Sequence, residues 1–236
     1  DENPFLLGAN WVCPMEVGLR GINMIWAFLF FKNSPSLSLG FWQRFVTSLY
    51  DHMFFLENNW EIYDYRTSNH YLSDLIGYLY LCYFFEDLSA IDKKTRWCYK
   101  EMLKEFEKQV FDEGTDYEGS TNYHQLITEI FYHFYLLSRE LQFSISTLFV
   151  KKLSKMFAFT DACSIKPGNL VSIGDNDSGR VMFYGVTPDM IEQLKPKKDI
   201  CPIIFRQFGI SILKNDDWHI TLRHHSYDIG QPSGHF

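Results

Sequence analysis

The sequence contains few cysteines and no excess of positive charge. Its five cysteines are an odd number, and no two of them have the CxxC spacing. We therefore predict buried free thiols rather than a zinc finger or a disulfide framework. Lysine and arginine total 22 against 29 acidic residues, which gives a net charge of −7 and excludes a generally basic nucleic-acid-binding protein. An anionic ligand is still allowed, because a cleft can carry a local field opposite to the net charge.

Long apolar runs and several common catalytic motifs are also absent. The richest apolar run, residues 22–31, contains Asn23 and is shorter than the roughly 20 residues that a membrane-spanning helix needs. No N-terminal signal peptide is visible in the chain. There is no P-loop, no GxSxG elbow, no HExxH motif and no dinucleotide-binding fingerprint. These absences disfavour nucleotide chemistry, serine hydrolysis and zinc proteolysis, and they predict no membrane span.

Aromatic residues, in contrast, are abundant, and the first two thirds of the chain follow a helical pattern. Aromatics make up 18% of the 236 residues, enough to supply a sizeable core and flat stacking surfaces. Apolar periodicity and breaks at turn residues predict six helices. Long helices joined by short polar loops are typical of stacked antiparallel helical hairpins. The predicted helices cover residues 15–31, 40–57, 71–85, 92–110, 123–141 and 145–159.

The pattern changes after residues 166–168. Three short strands are predicted at residues 181–184, 209–213 and 218–223. The last two flank an Asn-Asp turn that is typical of a hairpin. We therefore predict a helical part over residues 1–164 and the first strands of a β-rich part over residues 165–236. Because a single hairpin is rarely stable by itself, we expect further strands to complete the β-rich part.

Three polar or charged residues share one face of the first predicted helix. Glu16, Arg20 and Asn23 are spaced four and three residues apart. This spacing alone favours an internal ion pair between Glu16 and Arg20 that braces neighbouring helices. The alternative is that Arg20 lines a cleft for an anion, since a guanidinium binds a carboxylate or sulfate through two hydrogen bonds.

One loop-to-helix junction brings an amide, an imidazole and a phenol together in the sequence. It contains Ser68, Asn69, His70 and Tyr71. Ser68 or Asn69 alone is explained by N-capping of the following helix. The set together favours a cleft at this point, because capping accounts for one of these side chains and not for all of them.

A second junction, residues 116–124, ends in Tyr123 and His124. Ser120 or Thr121 could cap the helix, and Tyr123 and His124 could simply be half-buried. The functional alternative gives Tyr123 a proton-transfer role, since a tyrosine serves as acid or base when its pKa is lowered. The residue pattern by itself favours the half-buried interpretation.

Two further polar groups have both a structural and a functional interpretation. Residues 173–180 lack the spacing and terminal Glu of an EF-hand, so we predict a turn stabilised by Asp side chains and Arg180. Four of the eight histidines fall in the last eighteen residues together with Asp228, which leaves a metal site open. Surface histidines are the alternative, because side chains on alternating strand positions need not converge. These histidines are His219, His224, His225 and His235.

Five segments follow one another along the chain: NWVCPMEVGLRGIN (10–23), SNHYLSDLIG (68–77), YEGSTNYH (117–124), IGDNDSGR (173–180) and HHSYDIGQPSGHF (224–236). Together, in this order, they resemble the heparinase II/III-like family of polysaccharide lyases. The resemblance implies an incomplete (α/α) toroid followed by an antiparallel β-sandwich, with a cleft between them. It also implies that the chain is a fragment, which begins partway into the toroid and ends in the opening strands of the sandwich.

The resemblance implies β-elimination on a uronate-containing acidic polysaccharide, with unsaturated products. Asn69 would hold the uronate carboxylate with His70 beside it, and Tyr123 would be the catalytic acid and a candidate for the base. His235 would be the partner base. The other implied substrate-binding residues are Arg20 and Glu16, which line or brace the cleft, Trp11 and Tyr71, which stack on sugars, and His124. No cofactor is implied, and any structural metal would belong to further strands of the sandwich.

Two other classes of function stay open. A carbohydrate-binding or polysaccharide-assembly protein could use the same fold without turnover. A glycoside hydrolase would need two opposed carboxylates, for which Glu16 with Glu118 or Asp116 are the candidates. The residues do not choose among a glycosaminoglycan, alginate and a bacterial exopolysaccharide as the substrate. The family implies a periplasmic or secreted protein.

Overall fold

The computed structural model describes residues 3–63, 67–88, 90–166, 169–176, 179–182, 202–215 and 217–224. Within these ranges a short 3-10 helix, Ala9–Trp11, precedes six α-helices. The helices are α1 (Pro14–Phe31), α2 (Leu39–Asn58), α3 (Asn69–Phe84), α4 (Ile91–Gln109), α5 (Thr121–Glu140) and α6 (Thr147–Cys163). All six predicted helices are confirmed, and their ends move by only a few residues.

Serine side chains fix where several helices begin. Ser38 Oγ accepts a hydrogen bond from Phe41 N at the start of α2, and Ser146 Oγ does the same for Phe149 N at α6. Ser68 caps α3, which settles the choice between Ser68 and Asn69 as the capping residue. Helix α1 instead begins with a proline in its first turn, where a missing backbone N–H costs nothing.

Two small antiparallel sheets follow the helices. Strands β1 (Ser164–Lys166) and β2 (Asn169–Leu170) form the first, and β3 (Ile203–Phe205), β4 (Ile210–Lys214) and β5 (His219–Arg223) form the second in that order. The predicted hairpin is confirmed as β4–β5, with Lys214 opposite His219. Helices followed by small antiparallel sheets confirm the predicted fold class.

The strand predictions were incomplete. The sequence pattern missed β1, β2 and β3, which are only two or three residues long. A strand was predicted at residues 181–184, but its first two residues, Val181 and Met182, lie in a bend. Residues 183 and 184 lie outside the described residues.

The chain divides into two compact units, and each is described by itself. The first unit comprises Asp1–Glu105 with Leu136–Gln142, and the second comprises Phe106–Tyr135 with Phe143–Phe236. Cys82, Cys98 and Cys163 are free and buried, as predicted, and Cys13 is free and partly buried. None of the described helices combines the length and the apolar character that crossing a membrane requires.

In the first unit, α1 and α3 cross at two glycines. A Cβ added to Gly77 would lie 2.3 Å from the Cα of Gly18, and a Cβ added to Gly18 would lie 2.6 Å from the backbone oxygen of Ser73. Glycine weakens a helix by about 1 kcal/mol relative to alanine. Its presence at both positions is explained by the close backbone approach, which leaves no room for a side chain. The crossing fixes the start of α3 relative to α1.

Aromatic side chains form the core of the second unit. The Phe106 ring lies 4.7 Å from the Phe131 ring and 4.1 Å from the Phe149 ring, measured between centroids. A separate cluster packs the end of α6 against β3 and β4. It consists of Phe159, Ala162, Cys163, Phe205, Phe208, Ile210 and Ile212.

Candidate functional site

The start of α3 carries the predicted carboxylate-binding residues. Ser68 Oγ accepts a hydrogen bond from His70 N at 3.3 Å, which holds the first turn of the helix. Asn69 is fully buried, and its backbone oxygen accepts a hydrogen bond from Ser73 Oγ at 2.8 Å. The His70 side chain is 39% exposed. Packing therefore holds the amide in place, while the imidazole reaches solvent.

Glu61, in the segment between α2 and α3, joins the starts of α1 and α3. Its Oε2 accepts a hydrogen bond from Met15 N at 2.9 Å, and its Oε1 lies 3.0 Å from His70 Nδ1. Tyr63 OH donates to the same Oε1 at 3.4 Å. Burial opposes ionisation of Glu61, but the hydrogen bonds and the imidazole charge outweigh it and lower the pKa of this carboxyl.

Asp74 is a second carboxyl behind Glu61. Its Oδ2 accepts a hydrogen bond from Glu61 N at 2.8 Å, and its Oδ1 has no hydrogen-bond partner among the described residues. Burial, together with the negative charge of Glu61, raises the pKa of Asp74 to about 8. Asp74 is therefore mainly protonated at neutral pH and acts on the site by holding the backbone of Glu61.

Arg20 does not pair with Glu16. Its Nε donates to His52 Nε2 at 2.9 Å, and its Nη2 donates to the Asn10 backbone oxygen at 2.7 Å. The guanidinium carbon lies 5.4 Å from the centroid of the Trp11 ring, within cation–π range. Glu16 is exposed. The ion pair that the helical spacing favoured is thus wrong, because Arg20 finds its partners on neighbouring segments.

His52 is the uncharged partner of Arg20. Its Nδ1 donates to the backbone oxygen of Ser48 at 2.6 Å, so its Nε2 is the acceptor for Arg20. Burial lowers the pKa of His52 to about 4, and the charge of Arg20 acts in the same direction. The ring therefore stays neutral at physiological pH.

The depressed pKa of His52 predicts acid sensitivity of the first unit. In the unfolded chain the imidazole of His52 binds a proton near pH 6.5, whereas in the folded chain it does so only near pH 4. The contribution of the neutral His52 to the free energy of unfolding is fully present above pH 6.5. It is lost as the pH falls toward 4, by up to about 3 kcal/mol. Denaturant unfolding at pH 7.5 and pH 5 should show a smaller loss for His52→Gln than for the unchanged protein. Equal losses would contradict the assignment. His133, whose pKa burial also lowers to about 4, retains its own contribution in both proteins.

The two predicted sugar-stacking residues differ in exposure. Trp11 is half-buried, and its ring centroid lies 4.8 Å from that of Phe5 and 4.9 Å from that of His52. Tyr71 is only 3% exposed and packs edge-on against Trp60 at 6.1 Å. Trp11 therefore has surface to offer a ligand, whereas Tyr71 belongs to the core of the first unit.

In the second unit, the start of α5 is tied to the segment after β2. Thr121 N donates to the Ile173 backbone oxygen at 3.0 Å, and Thr121 Oγ1 donates to the Val171 oxygen at 2.6 Å. Ser120 Oγ donates to the Asp175 oxygen at 2.7 Å and also accepts a hydrogen bond from Tyr123 N at 3.3 Å. These bonds hold the turn on which Tyr123 lies.

Tyr123 and His124 are both buried in the second unit. Tyr123 is 8% exposed. His124 is fully buried, with its Nε2 3.0 Å from the Met156 oxygen, and its Nδ1 accepts a hydrogen bond from Asp116 N at 3.2 Å. His124 thus connects the loop before α5 to α6.

Arg180 links its segment to α5. It forms an ion pair with Glu129 of α5, whose Oε2 also accepts a hydrogen bond from Val181 N at 3.2 Å. Burial raises the pKa of Glu129, and the charge of Arg180 opposes that shift. An ion pair therefore holds this segment to α5. The predicted turn includes residues 177 and 178, which lie outside the described residues, so its stabilisation by Asp side chains stays a prediction.

The histidine-rich end of the chain is only partly described. His219 Nε2 lies 3.1 Å from the Ala162 oxygen, and His224 Nε2 lies 3.0 Å from Ser211 Oγ. His225, Asp228 and His235 lie outside the described residues. Across the part of the chain that the structure describes, the one group of Cys, His, Asp or Glu that could hold a metal ion is elsewhere. It consists of Cys13, Glu61 and His70.

In the first unit, Asn69 and His70 therefore lie together at the start of α3, and Arg20 contacts the ring of Trp11. Tyr123 and His124 lie next to each other in the second unit. The sequence analysis missed Glu61, Asp74 and His52 altogether. Their contacts join residues far apart in the chain, 46 positions for Glu61 with Met15 and 32 for His52 with Arg20, so no local spacing signals them.

Comparison with known proteins gives this arrangement a family. Residues 7–179 match the profile of the heparinase II/III N-terminus. The chain therefore belongs to the heparinase II/III family, and its helices correspond to the family's N-terminal helical toroid region.

Solved structures agree with that fold. The heparan sulfate lyase HepC from Pedobacter heparinus is 22% identical and superposes with a TM-score of 0.53, over 70% of this chain and 26% of that chain. A HepC mutant from the same organism gives 0.54 over the same shares. A heparinase III is also 22% identical, with a TM-score of 0.50 over 64% of this chain and 23% of that chain. The chain thus spans about a quarter of the length of these structures. A search of curated proteins finds no match.

Proposed function

We propose that this chain supplies the toroid part of a polysaccharide lyase that cleaves a uronate-containing acidic polysaccharide by β-elimination. The observation that carries the proposal is the family match over residues 7–179, which includes Asn69, His70 and Tyr123. In this proposal residues 1–164 belong to the toroid and residues 165–236 begin an antiparallel β-sandwich. A periplasmic or secreted location belongs to the same proposal.

The reaction needs charge neutralisation before proton transfer. The C5–H bond of a uronate is weakly acidic while the adjacent carboxylate is charged, so donors must stabilise the enolate-like intermediate. A base then takes the C5 proton, the electron pair of the C5–H bond forms the C4–C5 double bond, and the C4–O4 bond breaks. O4 leaves with its electron pair and receives a proton from an acid. No cofactor is assigned to these steps.

Asn69 and His70 are assigned to the carboxylate. The buried Asn69 is held by α3 packing, which suits a donor that must not reorganise during the reaction. The ionised Glu61 can only accept a hydrogen bond, so His70 Nδ1 donates to it, and the imidazole is partly exposed to solvent. Arg20 adds positive charge to the first unit, and the exposed Glu16 is assigned to bracing α1.

Proton transfer is assigned to Tyr123 as the acid, with Tyr123 or His235 as the base. Trp11 is assigned to sugar stacking, because its ring has accessible surface. Tyr71 packs in the core of the first unit and His124 in the core of the second, so in this proposal each positions the start of its own helix, α3 or α5.

The hydrolase alternative would use the exposed Glu16 together with Glu118 or Asp116. Asp116 is fully buried, and its Oδ2 accepts a hydrogen bond from Glu118 N at 3.0 Å. Glu118 is itself 3% exposed. Glycoside hydrolysis needs two opposed carboxyl groups at the glycosidic bond. Asn69 is buried as well, so burial does not separate the two reactions, and their products do.

The test is a product assay on the 236-residue chain and on the longest natural protein that contains it. Each is incubated with sulfated and unsulfated uronate polysaccharides in ¹⁸O-labelled water, while ultraviolet absorbance follows the C4–C5 double bond. Rising absorbance with no ¹⁸O in the products is the expected result. Label in saturated products would establish hydrolysis instead. Binding to one polysaccharide with no product from either protein would replace the proposal with a non-catalytic carbohydrate-binding function.

A further inference from the structure

We propose that Cys13, Glu61 and His70 form a binding site for a zinc-like divalent transition metal ion, with a fourth position open to water or a ligand. The ligand atoms of these three residues all lie within 4.8 Å of one another. Around a tetrahedral zinc ion, thiolate, imidazole and carboxylate ligand atoms are roughly 3.3–3.7 Å apart. The longest separation between these atoms would therefore have to shorten by at most about 1.5 Å on metal binding. This inference does not depend on the proposed function.

The three ligands lie on segments whose spacing is fixed by the fold of the first unit. Cys13 is the N-cap residue of α1, and His70 is the second residue of α3. The crossing of α1 and α3 at Gly18 and Gly77 holds these two helix starts together. Glu61 lies in the segment between α2 and α3, where the hydrogen bond from Met15 N ties it to the start of α1.

Contacts behind the ligands orient Glu61, as they do at natural metal sites. Met15 N donates to Glu61 Oε2 at 2.9 Å, which leaves Oε1 on the side of His70. The backbone of Glu61 is fixed in turn by its hydrogen bond to Asp74 Oδ2 at 2.8 Å. The carboxylate is therefore already aimed at the imidazole before a metal arrives.

The donor set selects the class of metal. Thiolate, imidazole and carboxylate together suit Zn²⁺ and its spectroscopic substitute Co²⁺. Ca²⁺ and Mg²⁺ prefer oxygen ligands throughout, so this set disfavours them. The Glu61 side chain is 7% exposed and the His70 side chain 39%, so the group is enclosed on one side and open on the other. Such an opening is typical of zinc sites that keep a position for water or substrate.

A simpler interpretation is that Glu61 only anchors the N-terminus of α1 and His70. That role uses the hydrogen bonds from Met15 N and His70, and it does not need the thiol of Cys13. Cys13 therefore separates the two interpretations. A metal site requires its sulfur as a ligand, whereas an anchoring carboxylate works equally well beside a serine.

The experiment is an anaerobic titration of the 236-residue chain with Co²⁺, followed by displacement with Zn²⁺. We expect one equivalent of Co²⁺ to give a sulfur-to-cobalt charge-transfer band that Zn²⁺ removes. Cys13→Ser should lose the band and weaken binding at least about 10-fold. Cys82→Ser, which changes a buried thiol in the same unit, should keep both. A band that persists in Cys13→Ser, or no stoichiometric binding by the unchanged chain, would overturn the proposal.

A second measurement covers the case in which Cys13→Ser fails to fold. The unchanged chain is alkylated with and without Zn²⁺, and the modified cysteines are identified by peptide mass. Zn²⁺ should slow alkylation of Cys13 at least about 10-fold and leave the other cysteines unchanged. Equal labelling of Cys13 with and without Zn²⁺ would refute the site.

Discussion

Tyr123→Phe is expected to reduce the rate of double-bond formation at least about 100-fold in a protein that shows the elimination activity. The change removes the hydroxyl that the proposal uses for proton transfer and keeps the ring volume. A positioned acid or base typically contributes 10²- to 10⁴-fold to the rate, so a loss of this size is the minimum expected. The rate of absorbance increase at saturating substrate measures the effect.

Tyr132→Phe is the matched control for that experiment. Tyr132 is also on α5, and at 5% exposure it is buried to the same degree as Tyr123 at 8%. Its ring packs on Phe157 with 5.7 Å between centroids. The control should keep nearly full activity. If Tyr123→Phe also keeps full activity, Tyr123 is not the proton carrier, although the elimination itself would still stand.

Gly77→Ala is expected to destabilise the first unit by about 1–2 kcal/mol. The new methyl group would lie 2.3 Å from the Cα of Gly18, and backbone cannot move aside as a flexible side chain can. Overpacking of this kind commonly costs about 1–3 kcal/mol, and the better helix propensity of alanine returns about 1 kcal/mol at most. Denaturant unfolding of the chain, followed by far-ultraviolet circular dichroism, measures the difference.

Gly21→Ala on the neighbouring turn of α1 separates this clash from a general effect of glycine replacement. Its added Cβ would meet the side chain of Leu81 at 3.6 Å, an ordinary van der Waals distance. The variant should be as stable as the unchanged protein, or more stable by up to about 1 kcal/mol. Equal destabilisation by Gly21→Ala and Gly77→Ala would show that the helix crossing is not the cause.

The sequence predicted the helices well because their signals are local. Pro14 at the start of α1 and Ser68 before α3 are capping signals that act within one turn. The reason for Gly18 and Gly77 was not predictable, because it depends on which two helices cross. The shortest strands were missed for a related reason, since two or three residues carry too little periodicity to stand out.

The candidate site was predictable only in its chain-local parts. The junction containing Asn69 and His70 was predictable, because its capping serine and its polar side chains are adjacent in the sequence. The predicted partner of Arg20, Glu16, was wrong. Helical spacing shows which residues share a helix face, but it does not show which neighbouring element supplies a better hydrogen-bond acceptor. His52 is such an acceptor, on α2, and Glu61 joins α1 to α3 in the same way. Cys13, Glu61 and His70 are far apart in sequence, so no local spacing pointed to a metal site among them. The expectation of no cofactor stays a prediction.

The enclosure of α3 has a consequence for the entropy of ligand binding. Thirteen of its sixteen residues are buried, Asn69 among them. The rotational freedom of that amide is therefore lost when the protein folds rather than when a ligand arrives. A ligand that uses Asn69 gains a hydrogen bond without the usual ordering cost of a surface side chain. Mutations that loosen α3 would return that cost to the binding step, so the packing of this helix links stability to affinity.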